Sequence, residues 1–338
     1  MSHFVQQQHT VNAFASSDSW VILSPIEQSI KQKIEAVGVP LKDWDINIYR
    51  GVLTGCNEAF IINTDKRNEI LANCKDETER KRTEELIRPI LRGRDIKRYG
   101  YEWAGLYLIA TFPARHYDIE RYPAVKEYLL SFAEDYLRKN GCEWVVNDHL
   151  ADFCEQKLSQ TGKYIVINGK ELTINGKKEK ARKKTSNKWF ETQDSISYWE
   201  DFDRPKLVYA ELARTGNAFC YDNQKLMLGN TGYILVTKDD NKDKLLHLLA
   251  FLNSRVLLYS LNQLCTSFDN NGWRWLRQFV EQLRVPPYTG SNELISTIET
   301  TNKRNQYINS EVINKFIYDK FNFSKEEQNY INDALKGY

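Results

Sequence analysis

The stretch GVLTGCNEAFII, Gly51 to Ile62, is a polar, glycine-punctuated turn that runs straight into apolar residues. Gly51 and Gly55 bracket a tight turn, because glycine alone enters positive φ without steric cost. Thr54, Cys56 and Asn57 fall at its tip, where short side chains hydrogen-bond outward. Ala59 to Ile62 then read as the strand that anchors the loop. Upstream, Trp20 to Ser24 and Trp44 to Tyr49 read as strands, and Ile26, Ile30, Ile34 and Val37 keep helical spacing until Gly38. Downstream come a charged helix from Asp76 to Leu86, closed by Pro89, and a buried strand from Tyr101 to Phe112. An amphipathic helix from Ala124 to Lys139 stops at Asn140-Gly141. The dipeptides Asn168-Gly169 and Asn175-Gly176 predict a hairpin whose far side is the basic run KKEKARKK, 177–184. Strands return at Lys206–Tyr209 and Gly232–Thr237. Leu245 to Leu261 reads as one long helix, and a helical tail from Glu293 to Leu335 follows Pro286-Pro287.

At 338 residues the chain can bury a substantial core. No apolar run is long enough to span a bilayer, and the polar start MSHFVQQQHT is no signal peptide. Six cysteines form no C-x-x-C pair, which argues against a zinc site or a disulfide framework and for a cytoplasmic, reduced-thiol protein. The net charge of +2 hides an asymmetry. Arg80 to Arg98 carries eight Lys/Arg against three acids, and Lys163 to Lys188 nine against two. Such concentration fits nucleic-acid contact, the alternative being a solvated helix face and a loop.

Four further blocks follow in order: RPILRGRDIKRYGY (88–101), KWFETQDSISYWEDFDRPKLVYAELA (188–213), LLAFLNSRVLLYSLNQL with NNGWRWLRQFVEQLRVPP (248–287), and VINKFIYDKFNFSKEEQNYI (312–331). With the Gly51 loop they resemble the TaqI-like C-terminal specificity domain, the target-recognition part of many adenine-specific DNA methyltransferases and Type IIG restriction–modification enzymes. The resemblance spans roughly residues 20–335. It implies an α+β fold, with a twisted, mostly antiparallel sheet, packed helices and a helical C-terminal tail. The corresponding domain reading is a disordered leader at 1–18, a recognition domain at 19–288 and the tail at 289–338.

The implied role is a sequence-specific, non-catalytic DNA-binding module that directs a methyltransferase or endonuclease, fused or partnered, to its site. Double-stranded DNA and that catalytic domain are the expected partners, with no membrane. No cofactor is expected in the chain itself, since S-adenosylmethionine and magnesium would belong to the catalytic partner. Candidate DNA contacts are Thr54 and Asn57, then Arg92, Arg94, Lys97 and Arg98, then Lys178, Arg182, Lys183 and Lys184, and finally Asn270, Asn271 and Arg274. Arginine suits bidentate recognition of guanine or phosphate, and asparagine of adenine. Asp95 orients Arg94 or caps the next turn. Trp189, Phe190, Trp199 and Phe202 are core aromatics or a stacking platform.

Two catalytic signatures fail on their chemistry. Val285-Pro286-Pro287-Tyr288 has the outline of an amino-methyltransferase motif, but valine cannot hydrogen-bond the target amino group, and no glycine-rich cofactor loop accompanies it. Glu155-Gln156-Lys157, with Asp148 or Asp152, falls on a helical stretch, whereas a nuclease E-x-K sits on a strand. The rival readings are a protein-binding subunit that regulates a methyltransferase, and a Type IIG fragment with an unrecognised nuclease site.

Overall fold

The computed structural model describes residues 23–159, 163–181, 186–213, 216–265, 272–290, 293–303 and 310–336. The expected leader and the start of the Trp20 strand lie outside them. In chain order the longer helices are α1 (Pro25–Val37), α2 (Thr64–Ala72), α3 (Glu77–Leu86), α4 (Pro123–Lys139), α5 (Glu143–Cys154), α6 (Lys242–Leu252), α7 (Arg255–Leu264), α8 (Glu293–Lys303), α9 (Ser310–Lys320) and α10 (Lys325–Ala334). The strands that matter below are β1 (Ile46–Arg50), β2 (Ile61–Asn63), β3 (Ile87–Leu91), β4 (Leu106–Ile109), β5 (Val166–Ile167), β6 (Lys170–Glu171), β7 (Thr173–Ile174), β8 (Lys177–Lys178), β9 (Lys206–Ala210), β10 (Met227–Leu228) and β11 (Gly232–Thr237). The fold is α+β with a helical C-terminal tail, as the sequence implies.

Contacts divide the chain into two compact units, Met1–Asn47 with Glu211–Tyr221 and Thr237–Tyr338, and Ile48–Ala210 with Asp222–Val236. In the second unit a sheet runs in the order β10-β3-β4-β2. β4 pairs antiparallel with β2 (Tyr107 opposite Ile62) and with β3 (Leu108 opposite Arg88), and β10 joins β3 in parallel. β9 and β11 are the central, antiparallel pair of a second four-stranded sheet, with Val208 opposite Ile234. Both strands are buried along most of their length, which is why they read as continuous apolar runs. Lys206 is the exception. Its side chain is fully buried, with Nζ 2.5 Å from Asp222 Oδ2 and donating to Phe202 O at 2.6 Å. Burial pushes the Lys206 ammonium down, and Asp222 pulls it back. Asp222 in turn accepts the Gln224 and Leu226 N–H groups, fixing the turn into β10.

The first unit is mainly helical. The expected helix over Leu245–Leu261 is in fact two, α6 and α7, bent by 68°. Ser254 breaks the run by capping the Leu257 N–H, while Asn253 bonds both the N–H and the carbonyl of Phe219. Two other expectations need correcting. Asn57–Phe60 is a helical turn rather than the start of a strand, and β2 begins at Ile61. The Tyr101–Phe112 strand shortens to Leu106–Ile109, because Gly105 enters at φ +68°. α1 is tied to α10 through Glu327, which accepts from Lys33 Nζ (2.7 Å) and Ser29 Oγ (2.6 Å). Burial works against that carboxylate, but the bonds from Lys33, Ser29 and the Ser324 backbone outweigh it and hold the group below its ordinary range.

A carboxyl lowered in the folded state stabilises the fold above its unfolded value, and that contribution is lost as pH falls through the lowered one. Glu327→Gln should therefore lower stability at neutral pH and flatten the loss below about pH 4.5, read by urea denaturation from neutral to acid. Glycine spacing gives a second test. A Cβ on Gly51 would lie 2.1 Å from Gly229 O, whereas one on Gly100 would meet nothing within 4 Å. Gly51→Ala should cost at least about 2 kcal/mol, and Gly100→Ala less than about 0.5 kcal/mol, as shifts of the denaturation midpoint.

Candidate nucleic-acid interface

Within the second unit, the segment LMLGNTGYILV (226–236) makes a four-residue turn at Gly229-Asn230-Thr231-Gly232, closed by Gly232 N–H to Gly229 O at 3.1 Å. Two other loops are pinned onto it. Gly51 N–H donates to Gly232 O (2.9 Å), Val52 N–H to Leu228 O (2.7 Å), and Asn230 N–H to Val52 O (3.0 Å). Gly229 N–H donates to Leu91 O, and Gly93 N–H to the Thr231 hydroxyl, both at 2.9 Å. The approach is so close that a Cβ on Gly93 would fall 2.4 Å from Thr231 O. Gly51 thus owes its identity to contact, while Gly55, at φ +80°, owes it to backbone conformation.

The tip of the Gly51 loop differs from expectation. Thr54 and Cys56 are buried, and the Thr54 hydroxyl is spent on Asn57 Oδ1 (2.6 Å) and on the Cys56 N–H (3.2 Å). Asn57 is exposed, with its Oδ1 taken by the Thr54 hydroxyl. The Gln193 and Asp194 N–H groups back the loop through Thr54 O and Leu53 O.

The arginine loop Arg92–Tyr101 separates its two guanidiniums. Asp95 engages Arg92 rather than Arg94, with Nε to Oδ2 at 2.9 Å and Nη2 to Oδ1 at 2.7 Å, and its Oδ2 also caps the Arg92 N–H at 2.8 Å. Asp95 is buried, which by itself would raise its carboxyl, yet the Arg92 bonds hold it below the ordinary range. Arg94 is exposed and forms no ion pair with any described residue. Lys97, also exposed, reaches Arg94 O at 3.2 Å and Glu102 at 3.7 Å. Arg98 is half-buried, and Tyr99 follows it at φ +67°, a conformation a tyrosine holds only under constraint. Elsewhere in this basic segment Arg88 is committed to Asp203 at 2.5 Å.

The second basic segment is two hairpins, β5–β6 and β7–β8, turning at Asn168-Gly169 and Asn175-Gly176 with all four turn residues at positive φ. Three backbone bonds close a triangle: Ile165 N–H to Glu179 O, Glu179 N–H to Leu172 O, and Leu172 N–H to Ile165 O. Ile165, Ile167, Leu172 and Ile174 face inward, against Leu137, Val145 and Phe153 of α4 and α5, in a core of their own. Lys163, Lys170, Lys177 and Lys180 are exposed; Lys178 pairs with Glu171, and Lys157 with Glu179. That last pair, on a π-helical turn, removes Glu155-Gln156-Lys157 from any strand-borne nuclease arrangement. Arg182, Lys183 and Lys184 lie outside the described residues, as do Asn270 and Asn271.

Arg274 belongs to the first unit. It is exposed between the buried Trp273 and Trp275, on a short strand paired with Leu212–Ala213. Val285 is buried opposite Val39, and Pro286 O accepts from His247, so Val285-Pro286-Pro287 is packing. Phe190 and Phe202 are core residues, whereas Trp199 is half-buried beneath the Arg115 guanidinium, 3.8 Å from its ring. Among the described residues no group of three or more His, Cys, Asp or Glu is arranged to hold a metal ion. Sequence reasoning passed over the Gly229–Gly232 turn, although Gly-Asn-Thr-Gly between two apolar runs is a legible turn signal.

Comparison with curated proteins gives no match. Among solved structures the chain is similar to the type IIG restriction endonuclease BpuSI, with a TM-score of 0.50 and 12% identity over 91% of this chain and 31% of that one. A second likeness is to the Type IIL restriction-modification enzyme MmeI in complex with DNA, with a TM-score of 0.44 and 12% identity over 88% of this chain and 33% of that one. The chain therefore spans about a third of the length of either enzyme. At such identity the likeness to BpuSI speaks for the fold. Residues 155–283 match the model of the TaqI-like C-terminal specificity domain, the family that the motifs from Gly51 onward resemble.

Proposed function

We propose that this chain is the DNA target-recognition module of a restriction–modification system, directing an adenine methyltransferase, with or without an endonuclease, to its sequence. The observation that carries the reading is the pinned Arg92–Tyr101 loop. It is held rigidly by Gly93 and Asp95, and it presents Arg94 and Lys97 to solvent. A scaffold that satisfies Arg88 and Arg92 internally but leaves Arg94 exposed is built to deliver one guanidinium in a fixed place. The specificity-domain match at 155–283 supports the same role. In this reading residues 19–288 recognise DNA and 289–338 form a helical tail. The lysines of the twin hairpins, with Arg182, Lys183 and Lys184, neutralise phosphates and set position, while Asn57, Arg94 and, in the first unit, Asn270, Asn271 and Arg274 approach base edges. The partner supplies S-adenosylmethionine chemistry on a flipped adenine, and any magnesium-dependent cleavage.

Binding, substitution and activity measurements test this. The purified chain should bind duplex DNA with steep salt dependence. Replacing Lys177, Lys178, Lys180, Arg182, Lys183 and Lys184 by Gln should weaken binding to all sequences alike and reduce the slope of log K against log salt by about 0.9 per lost contact. An unchanged slope would mean that the run makes no phosphate contacts. Arg94→Ala should cost about 1–3 kcal/mol on the preferred site and much less on scrambled DNA. Arg92→Ala should instead show mainly as a lower melting temperature, since it strands Asp95. Incubated with DNA, S-adenosylmethionine and magnesium, the chain should neither methylate nor cleave; methyl transfer abolished by Pro286→Ala would overturn the module reading.

A further inference from the structure

The Gly229–Gly232 turn holds a side chain that the fold does not use. The backbone of Asn230 is committed on both sides, its N–H to Val52 O and its carbonyl to Arg50 Nε at 3.0 Å, and the flanking Gly229 N–H goes to Leu91 O. Thr231, the other central residue, spends its hydroxyl on the Gly93 N–H. The Asn230 amide, half-exposed, makes no hydrogen bond to any described residue. Asparagine in a turn ordinarily earns its place by bonding its own backbone or by adopting positive φ. Asn230 does neither, since its φ is not positive.

Two arginines belong to the segments fastened to this turn. Arg50 bonds the Asn230 carbonyl, and Gly93, the neighbour of Arg94, is fastened to Thr231. The carboxylate nearest in sequence to Arg94, Asp95, is taken up by Arg92. An amide on a rigid backbone, carrying two acceptor lone pairs and two donors, has the chemistry to recognise a base edge. A reader also needs to be held within about 0.5 Å of its productive position, and the backbone bonds and glycine contacts at this turn supply that rigidity.

We propose that Asn230 is a specificity-determining residue, whose amide pairs with the N6 and N7 edge of an adenine in duplex DNA while the turn is braced by Arg50 and Gly93. The assignment rests on the DNA-recognition reading above and adds the residue that selects one base pair. Its test is binding-site selection from a randomised duplex pool with the full chain, comparing wild type, Asn230→Ala and Asn230→Asp. The alanine variant should lose discrimination at a single base pair, by between about fivefold and about 150-fold, with affinity for scrambled DNA and melting temperature unchanged. The aspartate variant should shift preference at that same position towards cytosine, whose N4 amino group donates to a carboxylate. A gained preference of this kind cannot arise from misfolding. If wild type selects a site and both variants select it equally at every position, Asn230 is not a reader and the recognition role survives. If wild type binds all duplexes alike, the assignment and the recognition reading fall together.

Discussion

Two stretches of backbone meet at Gly51 and Gly229 with no room for a side chain between them, and the geometry of the loop cluster follows from that contact. Close packing at a glycine exchanges a side chain for precision, because hydrogen bonds then run directly between main chains that cannot shift rotamers. The loop after β1 and the loop after β3 are each registered against the same four residues. Beneath them the buried Lys206–Asp222 pair fixes where β10 begins. Burying such a pair is expensive and adds little net stability, but it permits one arrangement and penalises others. Here that arrangement is the entry to the Gly229–Gly232 turn.

The basic residues divide into two groups by what surrounds them. Arg88 and Arg92 are held by Asp203 and Asp95, and Lys157 by Glu179; these cations stabilise local structure. Arg94 and, on the hairpins, Lys170, Lys177 and Lys180 are exposed and form no ion pair with any described residue. Local excess of charge in the sequence therefore overstates the cations available to a polyanion, because part of it is neutralised within the fold.

Much of this was legible beforehand. The turns at 168–169 and 175–176 followed from Asn-Gly, although they close two hairpins rather than the one expected, α4 from its spacing and its Asn140-Gly141 stop, and β9 and β11 from their apolar runs. The split between α6 and α7 was hidden because leucine spacing continues across it; the break lies in the Asn253-Ser254 capping chemistry, which an apolar count does not see. Thr54 read as outward-facing because its role depends on an inward bond to Asn57, which no pattern of polarity reveals. The partner of Asp95 was ambiguous for the same reason: both arginines lie within three residues, and only the turn geometry selects Arg92. The Gly229–Gly232 turn was readable as a turn, but its neighbours at Gly51 and Gly93 are remote in sequence.

The link between α1 and α10 has a consequence for biosynthesis. Lys33 and Ser29 find Glu327, and Glu27 finds Tyr330, across separations of 294, 298 and 303 residues. During synthesis α1 leaves the ribosome long before its partners exist. The Ile48–Ala210 stretch, joined by Asp222–Val236, has the material for its own core well before then. Domains generally assemble as units from the N-terminal side as they emerge. In this chain that order is inverted for α1: its bonds to Glu327 and Tyr330 close only after the whole of the second unit has been made.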